Sequence, residues 1–172
     1  MEQRPDEETV AELLAMVRGL LADERDRGQG LDGKSATLAG FTGTILALTA
    51  TLGAQLLSLD LGSVGSAVFQ ALYVVSVVAL AVASLVALVG VLRPQPRLAL
   101  AMAEIRRFPE FPLIAEPKLE IQGTMMNTLI DALEHERGLN DRKARLTRIA
   151  AVSLAVGFVA VAAQAVTLGL TA

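Results

Sequence analysis

The sequence has no cysteine, one histidine, and three long stretches without any Asp, Glu, Lys, Arg or His. Without cysteine there is no disulfide, no thiolate metal site and no thiol nucleophile, and nothing assigns a redox compartment. The lone His135 stands among Glu134, Glu136 and Arg137, with no second imidazole to complete a metal site. It reads as a solvated surface residue, and no metal or cofactor is expected. Fifteen basic residues against eighteen acidic ones leave a net charge of -3, so charge makes no case for nucleic acid as a partner. No set of nucleophile, base and orienting group stands out, and the chain reads as non-enzymatic.

What is present is apolar. Hydrophobic residues make up 53% of the chain and its mean hydropathy is +0.52, which places it in the membrane class. The uncharged stretches are 35–59, 61–92 and 149–172, each at or above the roughly 20 residues a spanning helix needs. Inside lipid every backbone amide must be satisfied within the segment or by a closed barrel. Barrel strands alternate apolar and polar residues over about ten positions. Residues 74–92 are instead continuous Val, Ala, Leu and Ser with one glycine. The fold class read from this is an all-α membrane protein with three transmembrane helices, at about 36–59, 67–92 and 149–172, and a cytoplasmic two-helix bundle.

Orientation follows from the cations. Arg4, Arg18, Arg25, Arg27 and Lys34 precede the first span, and the other ten lie from Arg93 to Arg148, between the second and third. The connection around Asp60 to Ser66 carries none. The positive-inside rule therefore puts the N-terminus in the cytosol and Ala172 outside. The acidic, helical opening has no basic run leading into a short apolar core, so a cleaved signal peptide is not expected.

Two polar regions carry helical stripes. Val10, Leu13, Leu14, Val17, Leu20 and Leu21 recur on one face of residues 1–30. Acidic Asp6, Glu7 and Glu8 open this helix and Arg25 and Arg27 close it, in accord with the helix dipole. Gly28-Gln29-Gly30 is expected to end it. Pro94, Pro96, Pro109, Pro112 and Pro117 mark 94–118 as a linker. In 119–148 a second stripe holds Met126, Leu129, Ile130 and Leu133. Whether 119–172 is one helix of ~80 Å at ~1.5 Å per residue or breaks at Gly138 stays open. The two stripes are expected to pair as a coiled coil, in cis or from a neighbouring subunit.

One motif is a letter-for-letter match: residues 28–35, GQGLDGKS, fit the phosphate-loop pattern GxxxxGK[ST]. A working loop of this kind follows a buried strand and opens a helix, with a second strand supplying a magnesium-binding Asp. Here a charged helix end precedes it and an uncharged span follows. The segment is expected to be a linker in which Asp32 caps span one and Lys34 anchors it at the membrane interface. Arg142, Lys143, Arg145 and Arg148 before the last span are likewise expected from topology rather than from a lipid-specific site.

The spans hold no ionisable group, which argues against a proton-coupled transporter or a voltage sensor. They do hold small residues at four-residue spacing: Ala36, Gly40 and Thr44; Ala39, Gly43 and Ala47; Ala79, Ala83 and Ala87; Ser153 and Gly157. These permit close helix contact, within or between chains. Gln55 and Gln164 are amides that seek partners in lipid.

Residues 31–36, LDGKSA, leading into Gly40-Phe41-Thr42-Gly43, and 140–146, NDRKARL, leading into the last span, resemble the Pycsar-type transmembrane effectors and their SLATT-like relatives. The resemblance covers most of the chain, with Asp32, Lys34 and Lys143 at the matched positions. It implies a bacterial inner-membrane protein of antiphage defence, in which a nucleotide signal leads membrane helices to assemble and impair the bilayer. The residues before Ala36 are too few for a cyclic-nucleotide-binding domain, so the sensor is expected to be a separate protein. Partners are then the lipid bilayer, further copies of the chain and that sensor. Two alternatives remain at this stage: a non-enzymatic scaffold or accessory subunit of a membrane complex, and a nucleotide binder using residues 28–35.

Overall fold

Long uncharged runs rich in Ala, Leu and Val, free of proline, have no local reason to leave the helix once begun. The computed structural model describes residues 7–56, 62–92 and 118–171, with side chains described at 8–51, 53, 66–90 and 122–169. Among these residues every element is helical: α1 is Glu7–Leu56, α2 is Gly62–Leu92 and α3 is Lys118–Thr171. Two of the three are long and apolar enough to cross a membrane, α2 within Ser66–Gly90 and α3 within Gln122–Gly169. The expected proline-rich linker at 94–118 falls almost wholly outside the described residues.

Two features depart from the sequence reading. Gly28-Gln29-Gly30 does not end a helix, since α1 continues through it. Each glycine costs a helix interior about 1 kcal/mol relative to alanine. At Gly28 the missing side chain is put to use, because Asn140 packs into the space. Asp32, expected as a cap, therefore lies in mid-helix, where a cap has no function. The open question about 119–172 is answered by α3, which is unbroken, with Gly138 an exposed interior position.

The chain divides into two units, Met1–Gly30 with Pro94–Arg142 and Leu31–Arg93 with Lys143–Ala172. In the first, Leu21 packs with Ala132 and Leu133, flanked by Leu20 and Leu129. Val10 and Leu14 are also buried, Val17, Met126 and Ile130 are half-buried, and Leu13 is exposed. Val10, Leu14, Val17 and Leu21 follow the four-three spacing of a packing seam, and Leu13 lies to one side of it. Ala132 belongs to this core although its small side chain leaves little hydropathy signal.

In the second unit three helical segments pack together. α2 runs antiparallel to α1, with Ser35 beside Gly90 and Gly53 beside Tyr73, and antiparallel to α3, with Leu80 beside Gly157 and Ser76 beside Gln164. The side chains it buries are small or polar: Ser35, Thr42, Ser76, Ala83, Ala87, Ala150, Ala160 and Gln164, with Phe69 and Leu80 the large exceptions. The side chains it exposes are large and apolar. Of the exposed large hydrophobic residues among those described, all but Leu13 and Met16 are here, from Phe41 and Leu48 to Val166.

Candidate functional site

The polar side chains that α1 and α3 bring together form two groups, one in each unit. In the first unit Glu24 is the centre. Asn140 Nδ2 donates to the Glu24 backbone carbonyl at 2.6 Å and to its Oε2 at 3.0 Å. Arg137 Nε approaches Oε1 at 3.5 Å, and Arg27 spans from Glu24 to Asp141, at 3.3 and 3.1 Å. Asn140 is only 2% exposed, so its amide can be accommodated there only with such partners. The hydrogen bond to Asp141, then the charge of Glu24, hold the Arg27 guanidinium above its ordinary value. Sequence reading missed the contact between Glu24 and Asn140, because neither belongs to an apolar stripe.

In the second unit Lys143 Nζ lies between both Asp32 oxygens, at 2.7 Å from Oδ1 and 2.8 Å from Oδ2. The Lys143 side chain is 14% exposed and that of Asp32 37%. One turn further on, Ser35 and Thr147 oxygens are 2.9 Å apart. Thr147 Oγ1 donates to the Lys143 carbonyl at 2.9 Å, so Ser35 is the donor between the two hydroxyls. Gly90 lies against Ser35, where a Cβ would sit in ordinary contact at 3.5 Å from its Oγ.

Deeper in the same unit, Ser76 Oγ donates to the Tyr73 carbonyl at 2.8 Å and accepts from Gln164 Nε2 at 2.9 Å. The buried Thr42 returns its hydroxyl to the Leu38 carbonyl at 2.7 Å. Gly157 lets Leu80 approach so closely that a Cβ would lie 2.8 Å from its Cγ, and a Cβ on Gly53 would overlap the Tyr73 ring. On the surface, Phe41 and Phe158 stack with centroids 6.4 Å apart and planes at 11°.

Among the residues singled out from sequence, Asp32 meets Lys143 and Gln164 meets Ser76. Ala83 and Gly157 are buried, Gly43 and Ser153 are half-buried, and Gly40 is exposed. Lys34, Arg142 and Arg148 are exposed and make no ion pair among the described residues. The Gln55 side chain lies outside those residues. His135 differs from expectation. It is half-buried, and its Nε2 is enclosed without a partner among the described residues, as is Gln122 Oε1. It sits one turn beyond the buried Ala132 and so shares that face.

Residues 28–35 lie inside α1. Their backbone amides are engaged in the helix ladder and do not form the cradle a phosphate needs. Among the described residues no group of three or more His, Cys, Asp or Glu is placed to hold a metal. The arrangement ties helices together through polar contacts. Compared with known proteins, no family model, curated protein or solved structure matches the chain.

Proposed function

We propose that this is a three-span bacterial inner-membrane protein that self-associates and, on a signal relayed by a separate sensor, impairs the membrane that holds it, as the resemblance to Pycsar-type effectors implies. The observation that carries the reading is the reversed second unit, with Ser35, Thr42, Ser76 and Gln164 inside and valines, leucines and phenylalanines outside. A soluble monomer rarely exposes an apolar patch beyond a few hundred Å². In hydrocarbon the same surface faces a solvent of its own kind, and internal hydroxyls and amides find partners across helices.

The end of α1 supplies the third crossing. Threonine and glycine dilute its hydropathy, but Thr37, Thr44 and Thr51 each donate to the carbonyl four residues back, at 3.0, 2.9 and 2.9 Å. Their hydrogens are thereby satisfied and their methyl groups are free to face lipid. With the basic residues held in the cytosol, the α1–α3 pairing of the first unit is a cytoplasmic two-helix bundle. The effector role draws support from the contact between Asp32 and Lys143, two of the positions that carry the resemblance.

Induced expression together with the sensor is expected to depolarise cells, read with a potential-sensitive dye, while reporter fusions place Gly62 outside the cytosol. A cytosolic Gly62 or an untagged chain found wholly in the soluble fraction would end the membrane reading. Unchanged potential in sensor-activated cells would end the effector reading. A scaffold role is favoured by one observation, the exposed Leu13 and Met16 in the first unit, at 44% and 63%. It is recognised by a partner that co-purifies and is lost in Leu13→Asp.

A further inference from the structure

We infer that the groove between α1 and α3 in the second unit seats the outer face of α1 from a second copy of the chain, with Gln164 as the polar contact. The inference rests on the membrane reading above and names the self-association surface within it.

The argument starts from an incomplete amide. Ser76 gives its hydrogen to the Tyr73 carbonyl, so toward Gln164 it can only accept, and the Gln164 Nε2 must donate. That leaves Oε1 and one N–H of a side chain only 7% exposed without a partner among the described residues. Gln164 lines a groove of about 330 Å³ between Ile45, Thr49 and Gly53 of α1 and Val161 and Leu168 of α3. A lipid chain can fill an apolar groove but cannot hydrogen-bond this amide. An incoming helix bearing hydroxyl oxygens can.

The chain carries such a helix face. Gly33, Thr37, Gly40, Thr44, Ala47 and Thr51 alternate at four- and three-residue spacing on α1, and all six are exposed. This is the spacing of a helix-packing seam, on the side of α1 opposite the buried Ser35 and Thr42. The Thr44 and Thr51 hydrogens are already given to the Gly40 and Ala47 carbonyls. Their oxygens remain as acceptors, which is what the spare Gln164 N–H requires.

Depth also matches. Thr44, Ala47 and Thr51 are interleaved along α1 with the groove residues Ile45, Thr49 and Gly53. Rotation about the membrane normal therefore brings the seam of one copy to the groove of the next without vertical displacement. The two surfaces differ, so the contact is heterologous and generates a ring rather than an isolated two-fold dimer.

The absence of native cysteine makes the test direct. Full-length Ala47→Cys and Ala165→Cys chains, one carrying a tag, are co-expressed and oxidised in native membranes. A mixed cross-linked dimer several-fold above either variant alone is expected. Gln164→Leu should weaken assembly in mild detergent roughly 3- to 30-fold, the scale of one interhelical hydrogen bond in lipid. Thr42→Val, which removes a buried hydroxyl that bonds only within its own helix and lies outside the groove, should leave assembly unchanged. Oligomers that give no mixed cross-link, or Ala47→Cys pairing with itself just as well, would overturn the inference and leave self-association standing. A monomeric membrane protein would overturn both.

Discussion

The Asn140 carboxamide fills the place where Gly28 would carry a side chain, since a Cβ on that glycine would lie 2.8 Å from Asn140 Oδ1. Asn140 has nowhere to retreat, being buried and held by two bonds to Glu24. Gly28→Ala gains up to about 1 kcal/mol of helix propensity, but it displaces a buried amide whose lost bonds cost about 1–3 kcal/mol. The second term wins. Thermal unfolding followed by circular dichroism should show Gly28→Ala destabilised, whereas Gly30→Ala, with nothing within 4 Å of its Cβ, should be stabilised. A more stable Gly28→Ala would mean that the contact is not tight.

Gly157 and Leu80 form a close apolar approach between α2 and α3. Gly157→Ala should lower stability by about 1–3 kcal/mol through overpacking. Leu80→Ala should lower it through the cavity left behind, by about 2–5 kcal/mol. Combined, the added methyl enters the vacated space, and the loss should be smaller than the sum of the two. Strict additivity in unfolding of the detergent-solubilised chain would refute the packing described.

Asp32 and Lys143 should couple by on the order of 1 kcal/mol, the upper range for partly exposed pairs. Asp32→Asn leaves the less exposed Lys143 ammonium without its counter-charge, and the double variant with Lys143→Gln should recover part of the loss. The coupling should shrink as salt rises. A double-mutant cycle at low and high salt reads both effects.

Ser76→Ala should destabilise the chain by about 0.6–2 kcal/mol, the range for a hydrogen bond between helices in lipid. In nanodiscs that hold a single chain, adding Gln164→Leu removes the stranded amide as well, so the double variant should be no less stable than Ser76→Ala alone. Unfolding in lipid nanodiscs measures this, and a further large loss would show that Gln164 is held by something other than Ser76.

Much of the fold was legible because hydropathy and helical period are local properties. Runs without charge locate apolar helices wherever they end up, and the spacing from Val10 to Leu21 points to a buried stripe. The candidate polar contacts were less legible. Asp32 looked like a cap and Gly28 like a stop, because each was read against its own neighbours. Their true contacts, Lys143 and Asn140, are more than a hundred residues away along the chain. The burial of Asn140 and Ala132 was missed for a related reason: polarity and small size are not local signs of burial.

By itself the sequence determined that the chain is helical, where its uncharged segments lie and that its cations fall before the first and between the last two of them, since each depends on residue type and nearest neighbours. Only the tertiary structure decided which small residues are interior and which are surface. Ala83 and Gly157 went inside and Gly40 stayed out, although all three sit in the same four-residue pattern. The physical reason is that a glycine or alanine has almost no preference of its own between core and surface. Its position is set by the bulk and hydrogen bonds of the helix that meets it.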